Sequence, residues 1–326
     1  MIDEAATDFS QAAERSDLIV LATPVRVTET FIHKLADLSL KEHVIVTDVG
    51  STKMQIVREA EQLTKRGVTF IGGHPMSGSH RSGVGAARPD LFQAMRYVLT
   101  PSAGTSSQKV TVLKEWLKGM EAEFVELTPE RHDKLAATVS HLPRVVAATL
   151  VQQTRRASSD HAIAMELAAG GFRDTTRIAS SNPPMWRDIL LHNKDNILHL
   201  LDGFQNKLTS VEKMVEREDS TEILEYFQTI KAFRDSFSIP EQHANSGEHE
   251  LLVKVPEGAD AIARVSAVLG KAGINITAID MVDEESAHGM LRIVFRTEVD
   301  RMKSIAHLEN ANVTCILDKT EKITVG

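Results

Sequence analysis

Leu18-Ile19-Val20-Leu21-Ala22 is a short, unbroken run of apolar residues near the start of the chain. A run of this length predicts a strand that is covered on both faces, as strands of parallel sheets are. A helical pattern follows it, with apolar residues at helical spacing from Val27 to Leu35. The remaining elements predicted for this region are strands at Val44–Val46, Val68–Ile71, Tyr97–Leu99 and Phe124–Leu127 and helices at Lys53–Thr64 and Val110–Leu117. The alternation predicts an α/β domain over residues 1–128, with a mostly parallel sheet flanked by helices.

The chain after Pro129 has a different pattern. Between about Glu130 and Phe237 helical periods dominate, and we predict an all-α domain over residues 129–239. Its long helices with apolar faces predict a dimerisation domain, although the same faces would also suit packing within the domain. A polar linker, Pro240–Glu248, precedes a last segment with the order β-α-β-β-α-β. That order predicts a ferredoxin-like α+β domain over residues 248–326.

The composition excludes several functional classes. The chain has 37 basic and 45 acidic residues, a net charge of −8, which argues against nucleic acid as the main partner. Its single cysteine, Cys315, cannot form an internal disulfide, so a reducing compartment fits best. No apolar run approaches the roughly 20 residues of a membrane span, and the N-terminus has no signal-peptide pattern. We therefore expect a cytoplasmic protein that binds neither membranes nor nucleic acid.

Motifs for metal-dependent and hydrolytic chemistry are missing. The sequence has no H-E-x-x-H, no cysteine pair and no G-x-S-x-G. We therefore expect neither a metal site nor a hydrolase.

The first glycine of the chain is Gly50. A dinucleotide-binding domain of the Rossmann type normally opens with a strand, a G-x-G-x-x-G loop and a helix, whose backbone N–H groups hold the pyrophosphate. Two interpretations are open: the domain does not bind a nucleotide, or the chain begins part-way into such a domain. We favour the second, an N-terminally truncated Rossmann-like sheet, because Ala22-Thr23-Pro24 resembles the strand end beside the nicotinamide in many such folds. On this interpretation the chain binds NAD weakly or not at all.

The densest polar cluster is Gly72-Gly73-His74-Pro75-Met76-Ser77-Gly78-Ser79-His80-Arg81-Ser82-Gly83, directly after the predicted strand at Val68–Ile71. Open α/β sheets bind ligands at the carboxyl ends of strands, and glycines there allow the backbone to approach a ligand. A histidine held in such a loop can accept a proton near neutral pH. The alternative is a glycine-rich turn with surface histidines.

Three further segments carry polar groups. In Asp48-Val49-Gly50-Ser51-Thr52-Lys53, Ser51 suits the N-cap of the next helix, but it would also be able to hydrogen-bond a substrate in the same crevice. Ser140-His141-Leu142-Pro143-Arg144 places a proline in a helical stretch, where it kinks the helix and frees a carbonyl group. Gly170-Gly171-Phe172-Arg173-Asp174-Thr175-Thr176-Arg177-Ile178 holds two arginines, which bind carboxylates bidentately. The alternative interpretation is a structural kink for the segment with Pro143 and a surface helix end for the segment with the two arginines.

The segments Thr47–Lys53, Gly72–His80, Val139–Pro143 and Ala168–Ala179 together resemble the prephenate dehydrogenase family, in its type with a C-terminal ACT domain. The resemblance covers essentially the whole chain, but the family's N-terminal strand, glycine loop and first helix are missing. It implies that the intact protein converts prephenate to 4-hydroxyphenylpyruvate by NAD-dependent oxidative decarboxylation, a step towards tyrosine. The alternatives are an arogenate dehydrogenase, which these motifs do not separate, and a non-catalytic amino-acid-binding regulator.

The resemblance also assigns roles to single residues. His74 matches the histidine that accepts the substrate's hydroxyl proton, and Ser51 matches a serine that hydrogen-bonds the same hydroxyl and orients the histidine. Arg177 matches an arginine that binds a substrate carboxylate. The other positions implied near the substrate are Ser79, His80, Arg144 and His141, and those implied at the cofactor are Ala22, Thr23, Pro24 and Ser51. Many relatives carry a second histidine in place of Arg144, so its role stays open, and His141 is implied to be structural.

ACT domains usually bind amino acids at the loop after their first strand and at an interface with a second copy. The positions implied here are Gly258, Ala259 and Asp260 and, before the second strand, Gly273, Ile274 and Asn275. The resemblance implies L-tyrosine as a feedback ligand, and a purely structural appendage is the alternative.

Overall fold

The computed structural model describes residues 3–77, 87, 91–156, 167–236, 249–255, 261–282, 289–295, 298–311 and 313–316. The chain divides into two compact units, Met1–Ile223 and Leu224–Gly326. The division into three domains at 1–128, 129–239 and 248–326 stays a prediction, and its linker at 240–248 lies outside the described residues. Within the described part of the chain, no helix combines the length and the apolar character that crossing a membrane requires.

A five-stranded sheet lies in the first unit. Its strands, which lie side by side in chain order, are β1 (Leu18–Leu21), β2 (Ile45–Asp48), β3 (Thr69–Pro75), β4 (Arg96–Pro101) and β5 (Glu123–Glu126). Neighbouring strands run parallel, except that β3 and β4 pair antiparallel. The prediction of a mostly parallel α/β sheet is therefore confirmed.

Burial differs between the first two strands. All four residues of β2 are buried, as expected for a strand covered on both faces. In β1, Ile19 and Leu21 are buried but Val20 is 43% exposed. The prediction of complete cover is therefore wrong for β1, which lies at the edge of the described sheet and has a strand on one side only.

The helices beside this sheet are α1 (Phe9–Arg15), α2 (Val25–Ala36), α3 (Met54–Glu59), α4 (Glu61–Thr64) and α5 (Ser107–Leu117), with a 3-10 turn at Lys118–Met120. In α2 the buried residues Val25, Thr28, Ile32 and Leu35 recur at helical spacing, so one face of the helix packs into the core. The single helix predicted at Lys53–Thr64 is two short helices, because Ala60 ends α3 and α4 begins at the next residue.

Helices without strands follow Pro129 among the described residues up to 236, as predicted. They are α6 (Pro129–Ala136), α7 (Leu142–Arg156), α8 (Gly170–Thr176), α9 (Pro183–His192), α10 (Lys194–Glu216) and α11 (Ser220–Asp235), with a π-helical turn at Ala137–His141 and a 3-10 turn at Arg177–Ala179. The predicted irregularity at Pro143 takes the form of this π-helical turn. Pro143 has no N–H group to donate to the carbonyl of Val139, so the regular helical bonding cannot continue through it.

The second unit contains a four-stranded antiparallel sheet. Its elements are β6 (His249–Val255), α12 (Ala261–Lys271), β7 (Ile276–Val282), β8 (Gly289–Phe295), α13 (Glu298–Asn310) and β9 (Thr314–Ile316). The strands lie in the order β7-β8-β6-β9, and buried residues of both helices, such as Leu269 and Leu308, join the core of the sheet. The predicted β-α-β-β-α-β order is confirmed for the described residues.

Candidate active site

Three segments meet at the carboxyl edge of the first sheet. Leu21 of β1 pairs with Asp48 of β2, and Thr47 of β2 pairs with Ile71 of β3. The residues that follow these positions therefore lie beside each other, at the edge where open α/β sheets place their ligands.

His74 lies within β3 and not in a loop beyond it. The strand continues to Pro75 because its last residues pair antiparallel with β4, where His74 is opposite Val98. The prediction that the polar cluster forms a loop from Gly72 onward is therefore wrong at this end. The cluster's positions 78–83 lie outside the described residues.

The two glycines before His74 allow close packing between strands. A Cβ atom on Gly72 would lie 2.3 Å from Oγ1 of Thr100, and one on Gly73 would lie 2.5 Å from the backbone oxygen of Asp48. Any side chain at these positions would collide with the neighbouring strands. The close contacts that require glycine at these two positions are therefore with the protein itself, and a ligand contact of the polar cluster stays a prediction.

A buried ion pair joins the ends of β2 and β3. The Lys53 ammonium contacts the Asp48 carboxylate and donates a 2.7 Å hydrogen bond to the carbonyl of Gly73. Asp48 also accepts N–H bonds from Gly50 (2.8 Å) and Gly73 (3.1 Å). Burial lowers the pKa of Lys53, and the charge of Asp48 opposes this shift. The pair holds the backbone immediately before His74.

His74, His132 and Asp133 form a buried chain of hydrogen bonds. Nδ1 of His74 lies 2.8 Å from Nε2 of His132, and Nδ1 of His132 lies 2.7 Å from Oδ1 of Asp133. Asp133 also accepts the backbone N–H groups of Lys53 (2.7 Å) and Met54 (2.9 Å) at the start of α3. The sheet thus supplies one member of the chain, and α6 supplies two.

The direction of these hydrogen bonds follows from the carboxylate. Asp133 can only accept, so Nδ1 of His132 donates to it. Nε2 of a neutral His132 is then an acceptor, and Nδ1 of His74 is its donor. Nε2 of His74 keeps its lone pair, which is what a general base requires.

The surroundings keep His74 neutral. Burial lowers its pKa well below the usual value, and the neighbouring His132, Lys53 and His141 lower it further. His74 is therefore an unprotonated base at neutral pH.

Asn193 joins this chain to a third buried histidine, His141. Its amide Nδ2 donates to the backbone oxygen of Asp133 (2.8 Å) and lies 3.2 Å from Nδ1 of His141. Burial lowers the pKa of His141 to about 4, so the ring is neutral and Nδ1 accepts from the amide. The ring packs edge-on against Trp186, with the two centroids 5.8 Å apart.

Arg144 packs on the same tryptophan. The Arg144 guanidinium lies over the Trp186 ring, 4.3 Å from its centroid, and its Nη1 donates to the carbonyl of Ile178 (2.9 Å). Burial lowers the pKa of Arg144, and the charge of Arg177, the residue before Ile178, lowers it further. Arg177 is exposed in the 3-10 turn that follows α8.

The residues predicted at the cofactor follow β1 directly. Ala22 and Pro24 are exposed at the carboxyl edge, and Oγ1 of Thr23 lies 2.9 Å from Oγ1 of Thr28 in α2. Small exposed residues at this edge leave room for a flat ring beside the sheet, so they fit the nicotinamide end of NAD.

Ser51 is half-buried and does not cap α3. The N-cap residue is Lys53, and Asp133 accepts the backbone N–H groups there. The N-cap interpretation of Ser51 is therefore wrong. The hydrogen-bond partner that orients the His74 ring through Nδ1 is His132, and a contact of Ser51 with the substrate hydroxyl stays a prediction.

Several predicted positions lie outside the described residues, namely Ser79, His80, Gly258, Ala259 and Asp260. Of the other positions in the second unit, Gly273 adopts a positive φ of 68° and Asn275 is exposed. Ile274 is buried in the core, so its side chain stabilises the fold and is not accessible to a ligand.

Four residues of the site were not predicted from the sequence, namely His132, Asp133, Asn193 and Trp186. A signal existed for the first two, because they share the buried face of α6 with Ala136, and polar residues at apolar positions need partners. Asn193 and Trp186 carry no such signal, since their partners are identified only by the folded chain.

Two family models match the chain. One, described as prephenate dehydrogenase, nucleotide-binding domain, matches residues 1–126, and the other, described as prephenate dehydrogenase, dimerization domain, matches residues 128–229. A protein of Bacillus subtilis (strain 168) named prephenate dehydrogenase is 41% identical over 305 residues, which are 93% of this chain and 82% of that protein.

Two solved structures are similar to this chain. Prephenate dehydrogenase from A. aeolicus in complex with hydroxyphenyl propionate and NAD+ has a TM-score of 0.67 and 35% identity, covering 73% of this chain and 82% of that chain. Synechocystis arogenate dehydrogenase has a TM-score of 0.64 and 31% identity, covering 73% of this chain and 84% of that chain.

Proposed function

Since the chain belongs to the prephenate dehydrogenase family, we propose that it converts prephenate to 4-hydroxyphenylpyruvate by NAD-dependent oxidative decarboxylation. The hydrogen-bonded chain from His74 through His132 to Asp133 carries the proposal, because the reaction needs a neutral base at the substrate's hydroxyl group. The relative from A. aeolicus, solved with NAD+, supports NAD as the cofactor.

His74 acts as the base in this reaction. NAD+ bound at this sheet edge would supply the hydride acceptor for the ring carbon that bears the hydroxyl group. Nε2 of His74 accepts the hydroxyl proton as the carbonyl forms, and it returns the proton to the same oxygen when the ring carboxylate leaves as CO2 and the ring becomes aromatic. Asp133 and His132 hold the imidazole in the required tautomer and stabilise the imidazolium that results.

Ser51 and Arg177 bind the substrate in this proposal. Ser51 stands three residues after the end of β2, at the same sheet edge as His74, and hydrogen-bonds the substrate hydroxyl. Arg177 is an exposed cation that binds a substrate carboxylate through its guanidinium fork.

Two measurements test the proposal separately. The absorbance of NADH reports turnover of prephenate, and a fluorescence titration with NADH reports cofactor binding. We expect turnover, and tight NADH binding without turnover of prephenate would contradict the proposed substrate.

Oxidation of arogenate is the second candidate function, because the similar Synechocystis structure is an arogenate dehydrogenase. The two substrates differ only in the side chain, which is a keto acid in prephenate and an amino acid in arogenate. Steady-state kinetics with both substrates decide between them, and a higher kcat/KM for arogenate would replace the first proposal.

The protein forms a homodimer through its helices in this proposal. On α10 the apolar residues Leu198, Leu208 and Val215 are more than half exposed, and an open groove of about 460 Å³ between α7 and α9 is lined largely by apolar side chains, including Val145, Ala148, Val151 and Leu190. Apolar surface of this kind marks an interaction site. Sedimentation should show a dimer that Leu208→Glu weakens and that the same change at the neighbouring exposed Lys207 leaves intact.

The second unit is an ACT domain that binds L-tyrosine in this proposal. Its strand order supports the fold, and Gly273 and Asn275 are accessible in the turn before β7. Calorimetry should detect L-tyrosine binding, and Asn275→Ala should weaken it without changing turnover in the absence of tyrosine. If prephenate displaces the bound tyrosine, the tyrosine site is the active site and not the second unit.

A further inference from the structure

Two helices that carry parts of the candidate active site contact each other through polar side chains. Helix α2 directly follows the residues predicted at the cofactor, and Oγ1 of its Thr28 lies 2.9 Å from Oγ1 of Thr23 in that segment. Helix α9 ends at His192, directly before Asn193, whose amide donates to the backbone oxygen of Asp133. A contact between α2 and α9 therefore joins the cofactor side of the site to the hydrogen-bonded chain of the base.

Glu29 of α2 and His192 of α9 form the centre of this contact. Oε1 of Glu29 lies 3.6 Å from Nε2 of His192, slightly too far for a hydrogen bond. Only 18% of the Glu29 side chain and 4% of the His192 side chain are exposed. Oε1 of Glu29 is buried and has no hydrogen-bond partner among the described residues, which is unfavourable for a polar atom. A closer approach would give this oxygen a donor and so stabilise the contact.

A second polar contact between the two helices is also long. Nη1 of Arg26 on α2 lies 4.0 Å from Oδ1 of Asp188 on α9, whereas Nε of Arg187 donates to the same oxygen over 2.8 Å. Both contacts place an acid on one helix opposite a hydrogen-bond donor on the other. Packed helices slide past each other by small amounts when a protein closes around its ligands. A small movement of α9 towards α2 shortens both contacts.

The surroundings favour a hydrogen bond from a neutral His192. Burial lowers the pKa of this ring, and burial together with the charge of Glu59 raises the pKa of Glu29. Nδ1 of His192 is buried without a partner in the described part of the chain, so the one proton of the neutral ring is best placed on Nε2, where Glu29 accepts it. Smaller effects on the two pKa values come from charged groups nearby, namely Arg26, His33, Asp133 and Asp188.

We infer that Glu29 and His192 are positioning residues, whose hydrogen bond holds α2 against α9 during turnover and so fixes the cofactor side of the site relative to His74. The inference rests on the proposed function, because it concerns hydride transfer at the same site. A misplacement of reacting groups by about 1 Å can lower a rate about 100-fold. Neither side chain needs to touch the substrate or the cofactor for this role.

The first test compares kcat and the KM for prephenate in the unchanged protein, Glu29→Ala, His192→Ala, the double variant and the control His43→Ala. Losing one hydrogen bond should lower kcat about 3- to 30-fold in either single variant. The double variant should lose no more than the single ones, because either change removes the same contact. KM should stay the same, and His43, which is exposed before β2, should be replaceable without loss.

Two further measurements distinguish positioning from a merely structural role. The reversed pair Glu29→His/His192→Glu again places a carboxylate opposite an imidazole, so it should recover part of the kcat that Glu29→His and His192→Glu lose singly. Hydrogen exchange gives a readout that needs no turnover. Added prephenate should slow the exchange of the backbone N–H groups of α2 in the unchanged protein but not in His192→Ala, because the pair transmits the closure from α9.

Losses that add in the double variant, or a reversed pair without recovery, would overturn the inference, since each residue would then act only within its own helix. Exchange of α2 that prephenate leaves the same in the unchanged protein would overturn it too. Absence of turnover in the unchanged protein would contradict the proposed function instead. In that case the exchange of α2 with and without prephenate still decides whether Glu29 and His192 join the two helices.

Discussion

Nδ1 of His74 lies 2.8 Å from Nε2 of His132, although the two histidines are 58 positions apart in the sequence. Both rings are buried, and the bond continues to the carboxylate of Asp133. This relationship gives each imidazole one defined tautomer, so that only Nε2 of His74 is available to accept a proton.

Replacing His74 should remove most of the activity. We expect His74→Gln to lower kcat by roughly 10²- to 10⁴-fold, the usual contribution of a general base. Steady-state kinetics measure the loss, and circular dichroism checks that the sheet still forms, because His74 lies within β3. A variant with the original kcat would remove His74 from the mechanism.

Replacing His132 should affect the rate through the orientation of His74. His132→Phe removes the acceptor for Nδ1 of His74, so we expect kcat to fall on the order of 10- to 10³-fold, less than on loss of the base itself. The KM for prephenate should stay the same, and the pH at which the acid side of the kcat profile falls should move. His132→Gln offers a new acceptor and should restore part of kcat. If KM and kcat change together and the profile does not move, His132 has only a structural role.

Replacing Arg177 should mainly weaken substrate binding. A carboxylate remote from the reacting carbon is bound similarly in the ground and transition states, so Arg177→Ala should raise KM. A charge-assisted bidentate contact is worth about 1.5–3 kcal/mol, which corresponds to roughly 10- to 150-fold in KM. Arg177→Lys should recover only part, because an ammonium group loses the fork.

Arg173 is the matched control for this experiment. Its side chain is 79% exposed and paired with Asp174, so we expect Arg173→Ala to have kinetics close to those of the unchanged protein. A raised KM in Arg173→Ala together with an unchanged KM in Arg177→Ala would exchange the two assignments.

The buried pair of Lys53 and Asp48 should dominate the stability of this edge of the sheet. Lys53→Met leaves the Asp48 carboxylate buried without its cation, and breaking such a pair costs about 3–5 kcal/mol. The double variant Lys53→Met/Asp48→Asn buries no charge and should lose less than Lys53→Met alone. Urea denaturation measures both, and an equal loss in the two variants would show that the unpaired charge is not the cause.

Stability should fall in acid because of His141. The pKa of its ring is about 4 in the folded protein against 6.5 ordinarily, so the unfolded chain binds more protons between these values. The free energy of unfolding should therefore decrease as the pH falls from 6.5 towards 4, with a contribution from His141 of about 3 kcal/mol. His74, whose pKa is also lowered, acts in the same direction.

The variant His141→Gln isolates this contribution. Its free energy of unfolding should change less than that of the unchanged protein when the pH is lowered through this range. Urea denaturation followed by tryptophan fluorescence, to which Trp186 beside His141 contributes, measures the difference. If the free energy of unfolding depends on pH in the same way in the two proteins, the pKa of His141 is not lowered.

The sequence by itself predicted the strands of both units, the helices that follow them and the helical region after Pro129, but not α1, because these patterns depend on residues close together in the chain. Apolar runs and helical spacing determine which side chains turn inward, and the β-α-β-β-α-β order of the second unit followed from the same reasoning. It also singled out His74 and Arg177, since both stand in motifs that resemble those of a known family.

Only the tertiary structure decided that His74 belongs to a strand and which residues surround it. The extension of β3 depends on antiparallel pairing with β4, and the ring of His74 depends on His132 from α6. Asp133 lies about 80 positions away in the chain and accepts the backbone N–H groups at the start of α3. Ser51 was predicted to accept there as the N-cap residue. Such contacts join groups that local patterns do not relate, because the choice of partner for a buried polar atom is made only when distant segments pack together and exclude water.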